Sequence, residues 1–235
     1  MAKPLRSFAP FLIPLLVLTL SCSALSGPEL NAETLVPGIE STLLTEVPEQ
    51  VSANVLFSDD FSDPDSGWDR VQADEGLTDY DNGQYRIFVD QARFDRWANP
   101  GLSFTDVQVE ADATKIGGPD DNDFGLVCRY QDTENFYAFL ISSDGFYAIM
   151  KYSGGSSETL GTDSWPPSEA INQGAATNHL RADCIADSLT LYANGEQLHA
   201  VTDSAFSSGD VGLIAGTFDE PGADIAFDDF VVLQP

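Results

Sequence analysis

Between Val107 and Thr114 the chain reads Val-Gln-Val-Glu-Ala-Asp-Ala-Thr, apolar at every second position. Side chains of a strand alternate between its two faces, so this pattern predicts a strand buried on one side. Similar short runs recur from Asn54 onward, parted by Gly, Asn or Asp: Val55–Phe57, Gln84–Val89, Phe124–Tyr130, Phe136–Ile141, Phe146–Tyr152, His179–Cys184, Ser188–Ala193, Val211–Ala215 and Ile225–Leu233. No run keeps a helical period beyond two turns. Many short strands at this spacing predict an all-β sandwich or barrel.

Turn positions assign residues to faces. A turn at Thr133-Glu134 sets Cys128 opposite Phe139 and Arg129 opposite Ala138. A second turn at Asp144-Gly145 sets Phe139 opposite Met150 and Ala138 opposite Lys151. One face then collects Phe124, Leu126, Cys128, Tyr137, Phe139, Ile141, Ala148 and Met150, a dry set expected to face the core. The other collects Val127, Arg129, Phe136, Ala138, Leu140, Tyr147, Ile149 and Lys151, the mixture of a ligand-facing sheet. Trp97, in the stretch from Arg93 before Pro100-Gly101, reads as part of a rim loop beside it. Trp97, Phe136 and Tyr147 would stack on a sugar ring, while Arg129 and Lys151 donate to hydroxyls or to an acidic sugar such as a uronic acid.

The first 53 residues read differently. Lys3 and Arg6 precede an uncharged apolar stretch, Phe8 to Leu20, that ends in Ser21-Cys22-Ser23-Ala24. A basic start, an apolar middle too short to span a bilayer and a small-residue exit describe an export signal over residues 1–21. Thr19-Leu20-Ser21-Cys22 resembles the lipobox of bacterial lipoproteins, with Thr in place of the preferred Leu three residues before the Cys. The resemblance implies lipidation at Cys22 and an exported protein held at a membrane by its acyl chains alone. Residues 22–53 hold Pro28, Pro37, Pro48 and several Glu, with no Lys, Arg or aromatic residue, and read as an extended acidic tether. The domain proper is expected over residues 54–235.

Charge narrows the partners. Asp and Glu number 38 against 10 Lys and Arg, a net charge of −28, which argues against nucleic acid. With Cys22 acylated, Cys128 and Cys184 remain. Both fall on apolar faces, and an exported location permits a Cys128–Cys184 disulfide.

FSDDFSDPDSGW (Phe57 to Trp68), YDNGQYRI (Tyr80 to Ile87), LTLYANGEQL (Leu189 to Leu198) and IAFDDFVV (Ile225 to Val232) resemble concanavalin A-like lectin and glucanase domains. Laminarin-binding G-type modules and domains grouped with 3-keto-disaccharide hydrolases are the most similar. The resemblance covers about Asn54 to Pro235 and implies a jelly-roll β-sandwich. Family-16 glycosidases of this fold carry Glu-x-Asp-x-(x)-Glu on one strand. Here Glu110-Ala111-Asp112 lacks the second Glu, and His179 and His199 stand isolated. The same enzymes hold a structural Ca²⁺ where the terminal strands meet. The positions matching its ligands are Asp229, the Gly83 carbonyl, and Asp59 or a neighbour. The acidic stretches Gly118–Asp123 and Asp219–Asp224 read as solvated loops or weaker Ca²⁺ candidates. The leading expectation is therefore a noncatalytic, envelope-anchored domain that binds carbohydrate or a cell-surface polymer. A glycoside-modifying hydrolase and a protein-interaction module are the competing ones.

Overall fold

The computed structural model describes residues 54–235. The expected export signal, the Cys22 lipidation site and the tether lie outside the described residues. Among the described residues no helix forms. The strands are β1 (Val55–Asp59), β2 (Val71–Ala73), β3 (Gly76–Asp81), β4 (Gln84–Val89), β5 (Asp95–Ala98), β6 (Val107–Gly117), β7 (Asn122–Asp132) and β8 (Asn135–Ile141). They continue as β9 (Tyr147–Ser153), β10 (Ser156–Thr159), β11 (Thr177–Ile185), β12 (Ser188–Ala193), β13 (Glu196–Thr202), β14 (Asp210–Thr217) and β15 (Ala223–Leu233).

Two antiparallel sheets face each other. The larger runs β13-β12-β11-β6-β15-β4-β3-β2, with β1 also paired to β15; the smaller runs β10-β9-β8-β7-β14-β5. Between them lie the alternate residues of each sheet: Val107, Val109, Ala111 and Ala113 of β6 meet Phe124, Leu126, Tyr137 and Phe139 of the facing sheet, all essentially inaccessible. Burying the inner half of each strand supplies most of the folding free energy, and the alternation legible in the sequence is its direct cause. Cys128 on β7 and Cys184 on β11 form the expected disulfide, with Cα atoms 6.9 Å apart, and tie the two sheets together.

Every strand read from the pattern is present. Those missing from it are short or polar: β2, β5, β10 and β13 are edge strands or next to edges, and β3 is the polar arm of the Asn82-Gly83 hairpin. Edge strands bury little, so they carry little period-two signal.

Two register details differ from expectation. The Thr133-Glu134 turn is where the sequence places it, with Asp132 opposite Asn135. A bulge at Arg129, whose φ is +52°, then sets three residues of β7, Arg129 to Gln131, against Phe136 alone on β8, so Cys128 faces Tyr137 rather than Phe139. The β8–β9 loop is not the two-residue turn that Asp144-Gly145 suggests. Ser143, Asp144 and Gly145 form a three-residue loop, with Gly145 at φ +97° and the Ser142 hydroxyl accepting from Phe146 N at 2.9 Å. That single extra residue places Phe139 opposite Ile149 and turns every side chain of β9 to the other face.

Candidate functional site

The outward face of the six-stranded sheet carries a second apolar cluster. Alternation sends Ile214 of β14, Val127 of β7, and Phe136, Ala138 and Leu140 of β8 to this side, where Trp97, Tyr130, Met150, Tyr152 and Trp165 pack on them. Phe136 stacks on Tyr152 with ring centroids 4.3 Å apart and planes within 10° of parallel. Trp97 and Tyr130 lean on the same ring at 5.3 Å and 5.6 Å.

The sheet must curl for these contacts to exist. Tyr152 is on β9 and Asp95 on β5, with β8, β7 and β14 between them. In a flat sheet that separation is roughly 19 Å, beyond the reach of a tyrosine and an aspartate together. Yet the Tyr152 hydroxyl donates to Asp95 Oδ2 at 2.7 Å. The outward face is therefore a trough. Asp95 lines two recesses in it. One, of about 220 Å³, is walled by Asp123, Tyr152, Trp165 and Phe218; the other, of about 360 Å³, by Trp97, Tyr130, Phe94 and Asp69.

Strand register puts Asp95, Gly216 and Asp123 in one row across β5, β14 and β7. The missing side chain of Gly216 makes room for both carboxyls. A Cβ there would collide with Asp95 Oδ1 and would lie 2.7 Å and 2.8 Å from the two Asp123 oxygens. The two carboxyls are thus within about 5 Å of each other, where like charges raise each other's proton affinity. Burial, and then the Asp95 charge, push the Asp123 carboxyl well above the usual carboxylate range. Burial also raises Asp95, against the opposing effect of the Tyr152 hydrogen bond. Burial and the neighbouring Asp95 hold the Tyr152 phenol above its ordinary value.

Of the residues expected to bind ligand, the trough brings together Trp97 and Phe136. Trp97 sits on strand β5 rather than in a rim loop, and Phe136, fully buried, is the floor under Tyr152. The other three are placed elsewhere. The Arg129 bulge rotates its side chain into the interior, 2 % exposed, where Nη1 donates to the Phe206 carbonyl at 2.8 Å and Nη2 to the Ala186 carbonyl at 2.6 Å. Lys151 and Tyr147 follow the shifted β9 register. Lys151 pairs with Asp203 at 2.7 Å and Glu158 at 2.8 Å, which together hold its ammonium above its ordinary pKa. Tyr147 packs against the main core. With Arg129 and Lys151 gone from the face, the basis for an acidic sugar ligand goes with them.

Asp123 and Asp95 were not legible as a pair: Asp123 closes a stretch read as a solvated loop or weaker Ca²⁺ candidate, and Asp95 falls in the stretch read as a rim loop. The signal present in the sequence is Gly216, a strand glycine, which often marks a close approach.

The remaining expected chemistry lies apart from the trough. Glu110 and Asp112 project from β6 on the outer side of the larger sheet, where His179 Nδ1 is 2.8 Å from Asp112. The His199 ring meets the Leu160 carbonyl at 3.0 Å. At the chain ends, β4 and then β1 pair along the same side of β15, and Asp229, at φ +49°, lies at the handover. Asp59, Asp60 and Asp229 border one surface groove. The third expected position supplies a main-chain carbonyl, of Asp59 or a neighbour; the Asp59 carboxylate is engaged elsewhere. It accepts from Phe61 N at 2.8 Å, Ser66 Oγ at 2.5 Å and Trp68 Nε1 at 3.0 Å, anchoring the aromatic cluster of Phe61, Trp68, Tyr85 and Phe230. Among the described residues no three His, Cys, Asp or Glu side chains converge as a metal-ligand group. A Ca²⁺ there would rest on Asp229, main-chain carbonyls such as that of Gly83, and water.

No protein-family model and no curated protein matches the chain. Solved structures match its fold. The carbohydrate-binding module CBM66 from Bacillus subtilis superposes with a TM-score of 0.58 at 19 % identity, over 72 % of this chain and 96 % of that one. A Bacillus subtilis protein of unknown function with a galectin-like fold gives 0.55 at 14 %, over 77 % and 96 %. The Bacillus licheniformis β-glucanase gives 0.56 at 9 %, over 78 % and 99 %. The architecture is the expected concanavalin A-like jelly-roll sandwich.

Proposed function

We propose that this chain is an exported, lipid-anchored protein that binds carbohydrate or a cell-surface polymer in the trough of its six-stranded sheet, without cleaving it. The observation that carries this reading is a pair of partly exposed rings, Trp97 and Tyr152, packed on the buried Phe136 along a curled sheet with Asp95 and Asp123 toward one end of the face. Aromatic faces pair with the apolar face of a sugar, and convergent polar groups fix its hydroxyls. The fold shared with a carbohydrate-binding module and a β-glucanase supports the reading without establishing it.

A glycan array scored for both binding and bond cleavage tests it. Binding without cleavage, weakened roughly tenfold in Trp97→Ala with little change in melting temperature, is the expected outcome. The second reading, a glycoside-modifying hydrolase, has its own observation: two neighbouring carboxyls in the trough, the residue types that a retaining glycosidase pairs. Cleavage that disappears in Asp95→Asn would favour it. The anchoring is tested separately. Cys22→Ala should leave the protein unprocessed or free of membranes, and unchanged detergent partitioning with normal processing would remove lipidation from the account.

A further inference from the structure

The trough is acidic where a sugar's polar edge would sit, and this bears on which sugars it accepts. Asp123 is 4 % exposed, lines the smaller recess, and its Oδ1 has no hydrogen-bond partner among the described residues. Asp95 Oδ2 is occupied by Tyr152, which leaves Asp95 Oδ1 and Asp123 Oδ2 to meet a ligand, while Asp123 Oδ1 is inaccessible. Among the described residues no cation pairs with either carboxyl. Arg93 borders the same recess, but its guanidinium pairs with Asp219 at 2.6 Å in an exposed position. Arg96 reaches Glu75 and stacks on Phe94. Thr217 Oγ1 is committed to the Gln91 carbonyl at 2.5 Å. Beyond the Trp165–Phe218 wall the rim is acidic again, with Asp121 and Asp144.

Two buried carboxyls this close, with no cation against them, each bind a proton more readily than a solvated carboxyl does. Such a pair offers acceptor oxygens, with an O–H donor when protonated, in a dry setting. The hydroxyls of an uncharged sugar ring, each both donor and acceptor, satisfy both needs. A sugar carboxylate adds a further negative charge to the same recess, where the lining basic residue, Arg93, is already paired with Asp219. Repulsion at this range and burial far exceeds that between solvated charges.

We propose that Asp95 and Asp123 form the polar end of the carbohydrate site and select an uncharged, hydroxyl-bearing sugar, turning uronic acids away. This rests on the trough being a carbohydrate site, and the test separates the two. Full-length protein is titrated at fixed salt with neutral polysaccharides (mixed-linkage β-glucan, levan, soluble starch), with polygalacturonate and with chitosan. The expected result is binding of at least one neutral polymer, with polygalacturonate roughly tenfold weaker or worse, the ratio that about 1.4 kcal/mol produces. Asp95→Asn and Asp123→Asn should each narrow that gap, since an amide keeps the shape and removes the charge. In Asp95→Asn the new amide oxygen can still accept from Tyr152, and Asp123→Asn disturbs no hydrogen bond of the Asp123 Oδ1 atom, so either variant suffices if the other fails to fold. Comparable binding of polygalacturonate, preference for chitosan, or an unchanged gap in both variants would overturn the carboxyl-pair inference while leaving the carbohydrate site intact. No binding of any polymer by the wild type would overturn both.

Discussion

The Tyr152 hydroxyl donates to the Asp95 carboxylate although three strands of the same sheet lie between them. The contact spans the outward face of that sheet and holds the side chain of Asp95, whose strand register aligns it with Gly216 and Asp123. It also buries a like-charged pair, and such a pair makes stability depend on pH.

Burial, then the Asp95 charge, keep the Asp123 carboxyl protonated to higher pH in the folded chain than in the unfolded one. Between those two values the folded state binds more protons, so unfolding free energy falls as pH rises. The cost is absent below about pH 4, where the unfolded carboxyl is protonated too, and complete above the folded-state pKa. Asp123→Asn removes the ionisation. It should raise the melting temperature near neutral pH, with the gain shrinking toward pH 4. A gain that does not vary with pH would show that Asp123 does not titrate in this way.

The sandwich was legible because its inner faces are made by alternation, and alternation is a sequence property: Val107 to Ala113 read the same in the chain and in the core. The site was not, because it depends on where alternation breaks. Arg129 takes a positive φ without being Gly or Asn, and so gives no sign of the bulge that turns it inward. Asp144-Gly145 signals a hairpin correctly but does not say whether Ser143 belongs to the loop, and on that one residue hang the faces of Tyr147 and Lys151. Trp97 and Phe136 are legible because neither break reaches them: Trp97 lies on another strand, and Phe136 precedes the β8–β9 loop.

Arg129 is a structural residue, and its removal should be costly. Truncation leaves the buried Phe206 carbonyl without its donor and also removes the bond to the carbonyl of Ala186, an exposed residue. Each such loss costs about 1–3 kcal/mol, so Arg129→Ala should lower unfolding free energy by about 3 kcal/mol or more. Lys151→Ala, which breaks a partly exposed pair with Asp203 and Glu158, should cost about 1 kcal/mol. Urea titration measures both. A wild-type midpoint for Arg129→Ala would put its side chain back on the surface.

Calcium at the joined ends of the chain is a further proposal. Asp229 lies where β4 hands over to β1 along β15, and among the described residues its carboxylate accepts no hydrogen bond, unlike that of Asp59. An ion bound there stabilises the folded state by mass action. Chelator should lower the melting temperature, added Ca²⁺ should restore it, and Asp229→Ala should abolish the response. Asp59→Ala should lower the melting temperature by uncoupling Trp68 and Ser66 while leaving the calcium response in place. Melting of the wild type that ignores both chelator and Ca²⁺ would exclude the ion.

The Cys128–Cys184 bridge joins β7 of one sheet to β11 of the other, closing a loop between residues 56 apart in sequence. In the chain-entropy account a loop of that length is worth about 4 kcal/mol, all of it exerted on the unfolded chain. Both cysteines are inaccessible and packed in the core. Reduction should therefore be slow in the native state and fast once the chain is unfolded. The Cys128→Ala, Cys184→Ala double variant tests the magnitude without leaving a lone thiol. It should keep the fold, since two small apolar side chains sit among Leu180, Leu189 and Tyr137, but lose several kcal/mol through the missing cross-link and the cavity together. Thiol counting on denatured, unreduced protein should find neither Cys128 nor Cys184 free. Two free thiols there, or a double variant as stable as the wild type, would mean that core packing alone holds the sheets together.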